Sequence, residues 1–169
     1  MSHHTVTIKG NPVPLEGTLP EVGKPAPAFA ATANDLTPFA FSSLKGKTVV
    51  ISSVFSLETS VCDTETRRFN KEAAGLGEDV AVLTVSMDLP FTQARWCGAA
   101  GLDRVTTVSD HNQAEFGRKY GVLISPLRLL ARAVFVVDKA GILRYAQLVP
   151  EVGTEPDYGA VLQAVKAAK

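Results

Sequence analysis

Thr48-Val49-Val50-Ile51-Ser52-Ser53-Val54-Phe55, entered through Gly46-Lys47, is a continuous and mostly apolar run rich in β-branched residues. Such a run fits a strand buried on both faces, the kind that lies inside a sheet covered on two sides. From Thr59 onward the period changes. Cys62, Thr66, Phe69, Ala73 and Leu76 recur at alternating spacings of four and three, one face of a helix that ends near Gly75–Gly77. A buried strand feeding a helix is the unit of an α/β fold.

The remaining elements extend that unit. Val80–Val85 is a second buried strand. Pro90 opens a second helix, with Phe91, Ala94, Gly98 and Leu102 on one stripe. A short strand near Val105–Val108 and a short helix near Gln113–Tyr120 follow. Ala131–Val137 and Ile142–Val149 flank Asp138-Lys139-Ala140-Gly141 as a β-hairpin. Asp157–Lys169 reads as a terminal helix with Tyr158, Val161, Leu162 and Val165 on its buried face. Ahead of the central run, Thr5–Ile8 turns at Gly10-Asn11-Pro12 into Val13-Pro14-Leu15, an edge hairpin where proline is tolerated. Gly23 to Pro38, rich in Pro and Ala, reads as an ordered loop. The element order describes a mixed central sheet flanked by helices. It resembles the thioredoxin-like fold, extended by an N-terminal β-hairpin.

With 169 residues the chain is short enough for one domain, spanning 1–169. Hydrophobic residues at 46% and charged residues at 20% exclude a disordered or collagen-like chain. Lys+Arg 17 against Asp+Glu 17 leaves no net pull toward nucleic acid or anionic lipid. Arg67-Arg68 and Arg118-Lys119 are too short for a phosphate track. No apolar run reaches the ~18 residues needed to cross a bilayer. The first residues show no basic region followed by an apolar stretch, so the expected location is cytoplasmic. In that compartment thiols are kept reduced, and the two cysteines, Cys62 and Cys97, are either inert or working.

Cys62 follows the central strand where the chain enters a helix. Thr59 and Ser60 are both good N-caps, and either places Cys62 in the first helical turn. Unpaired N–H groups and the helix dipole favour an anion there. Cys62 also shares a face with Phe69 and Leu76, so position alone leaves a plain core cysteine open.

The flanking residues add to this. Phe55-Ser56-Leu57-Glu58-Thr59-Ser60-Val61-Cys62-Asp63-Thr64 resembles the active-site segment of peroxiredoxins. The likeness is to their thiol peroxidase (Tpx) subfamily, whose pattern is Pro-x-x-x-Thr-x-x-Cys. It continues through Val6–Pro12, Arg67–Asn70, Phe91–Gly98 and Leu129–Asp138. The resemblance implies an atypical two-cysteine peroxidase acting on hydrogen peroxide or organic hydroperoxides. Cys62 would be the peroxidatic cysteine, oxidised to a sulfenic acid. Thr59 would hydrogen-bond thiolate and peroxide, and Arg132 would bring positive charge to the same pocket. Cys97 would resolve the sulfenic acid as an intramolecular disulfide that thioredoxin reduces. A homodimer is also implied, and no metal, haem or flavin. Two positions depart from the pattern: Phe55 replaces the motif proline, restoring a backbone N–H and freeing φ, and Glu58 stands where Asp is usual.

A reactive thiolate alone does not make a fast peroxidase. Lowering a generic thiol from pKa ~8.5 to ~6 raises its ionised fraction at pH 7 about 30-fold. A Brønsted slope of ~0.5 returns ~18-fold of that as lost nucleophilicity. The remainder has to come from fixed donors facing the leaving oxygen, each contributing about 3–4 kcal/mol in a dry pocket. Arg132, which interrupts an apolar strand, is the candidate; an exposed edge arginine or a structural ion pair are its other readings. Closing the loop between Cys62 and Cys97 is worth roughly 3.8 kcal/mol in the chain-entropy model if both ends are poised. Local unwinding around Cys62 would offset part of it, so a reversible bridge with two backbone conformations is expected.

Other signals are weaker. If Met1 is removed, His3 becomes the second residue and His4 the third, a spacing able to chelate copper or nickel through backbone nitrogens, against a frayed terminus. His111 reads as part of a turn and helix cap. There is no Cys-x-x-Cys, P-loop or Gly-x-Gly-x-x-Gly. Trp96 reads as helix packing or reductase docking. The rival to an enzyme is a non-catalytic redox sensor or binding protein on the same fold. A thiol-disulfide exchange enzyme is a third reading.

Overall fold

A computed structural model describes residues 4–101 and 104–169. His3 and Leu102 therefore lie outside the described residues. In chain order the elements are β1 (Thr5–Ile8), β2 (Asn11–Pro14), β3 (Ala30–Ala33), β4 (Pro38–Ala40), a 3-10 turn Phe41–Leu44, β5 (Thr48–Ser53), α1 (Ser60–Leu76), β6 (Val80–Ser86), α2 (Pro90–Ala100), β7 (Val105–Ser109), α3 (Glu115–Lys119), β8 (Leu123–Ile124), β9 (Leu129–Leu130), β10 (Ala133–Val137), β11 (Leu143–Leu148) and α4 (Tyr158–Ala168).

The main sheet runs β11-β10-β5-β6-β7-β3-β4. Its centre, β5-β6-β7, is parallel, and its outer strands pair antiparallel. All six residues of β5 are buried, as its composition requires of a strand covered on both faces. Alternate side chains point to opposite layers. Val50, Val82, Val134 and Val136 pack under α1 and α4 with Phe69 and Val161. Val49, Ile51, Leu83, Val85 and Phe135 pack on the other face. There Phe29, Phe116 and Tyr120 form an aromatic cluster, with Phe116 and Tyr120 stacked at 4.6 Å. This is the mixed sheet with flanking helices expected from the element order, and the β1–β2 hairpin is present.

Two expectations are corrected. Gly23 to Pro38 is not loop throughout: β3 forms at Ala30–Ala33 and extends the sheet through Thr32↔Ser109 and Ala33↔Val108. Ala-Ala-Thr-Ala carries little strand propensity; backbone pairing to β7 makes it a strand. On α2 the stripe Phe91, Ala94, Gly98 does not face the core. Phe91 is 66% exposed, whereas Gln93 is fully buried. The helix sits over hydrogen-bonding groups, Ser86 Oγ and the Val108 carbonyl, so its inward residue is an amide that bonds both.

The amino-terminal segment is seated beside α3. Gly121 has φ +69°, and a Cβ there would fall 2.4 Å from Thr18 C and 2.6 Å from Leu19 N. Both contacts are backbone, so Gly121→Ala is expected to destabilise the chain by more than about 2 kcal/mol. An unchanged urea midpoint would show that this seat does not constrain the fold. At α3 itself the capping group is Asp110 rather than His111. Its carboxylate accepts from Phe116 N and Gly117 N at 3.1 and 2.8 Å, and burial pushes its pKa up to about 6.

Candidate active site

Thr59 is the N-cap of α1, with φ −92° and ψ 147°, which puts Cys62 in the first turn. Cys62 is fully buried, packed with Val54 and Leu57 against Phe55 and Trp96. Two donors reach its sulfur. Arg132 Nη2 lies 3.3 Å away and the Ser56 backbone N–H 3.5 Å away. A sulfur accepting from a guanidinium and an amide at a helix N-terminus sits where negative charge is favoured.

Arg132 occupies the two-residue step between β9 and β10 and is only 1% exposed. Its Nε and Nη2 donate to the Val152 carbonyl at 3.0 and 2.8 Å, and its Nη1 forms an ion pair with Glu65 Oε2. Burial opposes the guanidinium charge, but Glu65 and then Cys62 hold its pKa above the ordinary value. Glu65 is fully buried one turn along α1 from Cys62 and accepts the Ser52 hydroxyl at 2.9 Å. Burial pushes the Glu65 carboxyl up, against the pull of Arg132 and Ser52.

Arg132 also lines a cavity of about 180 Å³ with Phe55, Thr59, Val61, Val152 and Ile8. Ile8 comes from β1, which the Glu151 carboxylate anchors by accepting from Lys9 N and Gly10 N at 2.9 and 3.2 Å. Hydrogen bonds from Thr7, then from Gly10 and Lys9, hold that carboxyl below its usual range.

Residues 21–162 match the family model described as Redoxin. The thiol peroxidase of Oceanobacillus iheyensis is 55% identical over 157 residues, 93% of this chain and 95% of that protein. That of Bacillus subtilis is 51% identical over 162 residues, 96% of each. Among solved structures, a peroxiredoxin-like protein from Aquifex aeolicus superposes with a TM-score of 0.91 at 44% identity, covering 98% of this chain and 97% of that one. The chain belongs to the Redoxin family, in its thiol peroxidase subfamily.

Against the residues that subfamily led us to expect, the site is assembled in part. Cys62 and Arg132 meet. Thr59 lines the same cavity, but its hydroxyl donates to the Ser56 carbonyl at 2.8 Å rather than to Cys62. A hydroxyl has one proton to give, so Thr59 faces the cavity as an acceptor. Cys97 is a free thiol like Cys62, and its Sγ contacts Thr107 Oγ1 at 3.4 Å. The helix that carries it is tied to the start of α1: Trp96 Nε1 donates to Asp63 at 2.9 Å and Arg95 pairs with Glu58 at 2.7 Å. Sequence reasoning missed Glu65. The available signal was a carboxylate at i+3 from Cys62, inside the stripe shared with Phe69.

Proposed function

We propose that this peroxiredoxin-type peroxidase works as a single domain that reduces hydroperoxides at Cys62 and passes the oxidation to Cys97. The Cys62 thiolate attacks the terminal oxygen of ROOH, the O–O bond breaks, and the leaving oxygen takes a proton and departs as ROH. Cys62 becomes a sulfenic acid. The Cys97 thiol then displaces its hydroxyl as water, forming a Cys62–Cys97 disulfide, which thioredoxin returns to two thiols. Arg132 stabilises charge on sulfur and on the departing oxygen. Thr59, its proton committed to Ser56, accepts from the peroxide O–H and turns the O–O bond toward sulfur.

The observation that carries this reading is the contact of Arg132 Nη2 with Cys62 Sγ at 3.3 Å in a guanidinium that also lines the cavity. A cytosolic location is proposed with the thioredoxin reductant, since that compartment keeps thiols reduced. Among the described residues no helix is long and apolar enough to cross a membrane. The homodimer is proposed on the family likeness and on Leu89 and Phe91, exposed at the start of α2, an apolar surface that a second copy would cover.

The test is peroxide consumption with thioredoxin, thioredoxin reductase and NADPH. Wild type is expected to turn over. Cys97→Ser is expected to be oxidised once and then stall, and Phe55→Pro to change the rate without changing the fold. Bridge formation without wild-type turnover would point instead to a redox sensor. The buried Cys62 and the tethered Cys97 also require the backbone around them to move on oxidation, and identical backbones in oxidised and reduced crystals would contradict the intramolecular bridge.

A further inference from the structure

Ser56 sets the donors of the site. Its N–H reaches Cys62 Sγ at 3.5 Å, and its carbonyl accepts the Thr59 hydroxyl and N–H at 2.8 and 3.0 Å. Its own hydroxyl donates to Asp88 Oδ1 at 2.7 Å, and the following amide, Leu57 N–H, donates to Asp88 Oδ2 at 2.9 Å. One carboxylate just beyond β6 therefore grips both sides of the Ser56–Leu57 peptide.

The same Oδ2 accepts the Ser86 hydroxyl at 2.7 Å, and Ser86 Oγ accepts from Gln93 Nε2 at 2.9 Å. Gln93 lies in α2, one turn before Cys97. Its Nε2 also donates to the Val108 carbonyl at 2.9 Å, which fixes the amide orientation and leaves Oε1 buried without a partner among the described residues. An unpaired buried carbonyl offsets part of what the nitrogen gains. Hydrogen bonds thus run from Cys62 through Ser56, Asp88 and Ser86 to Gln93 on the helix that carries Cys97.

We propose that Asp88 is a positioning residue for the peroxide-reducing site, and that Gln93 is the latch through which α2 is coupled to it. The proposal rests on the peroxidase reading above. While Gln93 is seated, Ser86 is held on Asp88 and Ser56 is held on sulfur. When α2 moves to bring Cys97 to the oxidised sulfur, Gln93 leaves, Ser86 Oγ keeps only its contacts with Asp88 (the carboxylate and, at 3.2 Å, the backbone N–H), and the Ser56 turn slackens. Release of Cys97 and dismantling of the peroxide site are then one event.

The experiment mixes reduced protein rapidly with hydrogen peroxide. Sulfenic acid formation is followed with a cyclic-diketone trap, and bridge formation by fluorescence of Trp96, the single tryptophan, which adjoins Cys97. Asp88→Ala is expected to slow oxidation by about 10- to 100-fold, as misplacement of a reacting group does, without slowing the bridge. Asp88→Asn is expected to stay within about threefold of wild type, because its oxygen takes the Leu57 and Ser86 donors and its NH₂ donates to Ser56. Gln93→Ala cuts the link without touching the carboxylate, Ser86→Ala cuts it and also removes one donor from Asp88 Oδ2, and each is expected to speed bridge formation several-fold. Wild-type oxidation in Asp88→Ala, an Asp88→Asn as slow as Asp88→Ala, or unaltered bridging in both link variants would each overturn the proposal. A wild-type chain that peroxide does not oxidise would overturn the peroxidase reading instead.

Discussion

Replacing Arg132 by Met is expected to lower kcat/KM for peroxide by about 100- to 1,000-fold, the usual cost of removing one preorganised charge-stabilising donor. The same substitution is expected to destabilise the chain by about 3–5 kcal/mol, because it strands the Glu65 carboxylate in a fully buried site. These two effects have different origins and can be separated. Adding Glu65→Gln removes the stranded charge, so Arg132→Met/Glu65→Gln is expected to regain most of the lost stability and none of the lost rate. Urea midpoints and steady-state kinetics on the two variants check this. A double variant that recovered activity along with stability would reduce Arg132 to an ion-pair partner that happens to touch sulfur.

The second large effect is expected from Cys62→Ser, which should abolish peroxide turnover while leaving the fold in place. Serine keeps the size class and leaves an acceptor for Arg132 Nη2 and Ser56 N–H, the two donors now on Sγ. Its hydroxyl cannot take up oxygen as a sulfenic acid, so the reaction has no first step. NADPH-coupled turnover at background rate, with an unchanged circular dichroism spectrum, is the expected outcome. Residual turnover well above background would place the oxidised atom elsewhere.

How far the sequence reveals this site follows from what each residue does. β5 is legible because a strand covered on both faces carries apolar residues at successive positions, as Val49, Val50 and Ile51 are, with only small hydroxyl residues beside them. α1 is legible because Cys62, Phe69 and Ala73 repeat at helical spacing and all three are buried. Arg132 is legible as a charge in an apolar run, although its place between two strands is not. Glu65 is hidden because a carboxylate on a helix reads as solvent-facing until its partner, 67 residues away, is known. Gln93 and Phe91 exchange roles for a related reason. Counting apolar residues assigns the inward face correctly only where the covering surface is apolar, and near their ends β6 and β7 present the Ser86 and Ser109 hydroxyls and the Val108 carbonyl that Gln93 bonds. Thr59 is legible as the cap position, but its hydroxyl bonds to the Ser56 turn, whose Ser56 hydroxyl and Leu57 N–H are held by Asp88 from just beyond β6. β3 escapes notice because pairing with β7, rather than composition, makes Ala30–Ala33 extended.

The reacting sulfur can be located directly. Cys97→Ser, reduced and then mixed with one equivalent of hydrogen peroxide in the presence of a cyclic diketone, cannot form the intramolecular bridge, so its sulfenic acid persists long enough to be trapped. Peptide mass spectrometry of that sample is predicted to find the adduct on Cys62. Peroxide left unconsumed and Cys62 recovered as an unmodified thiol would contradict the assignment of this buried sulfur, under the Arg132 guanidinium, as the atom that peroxide oxidises.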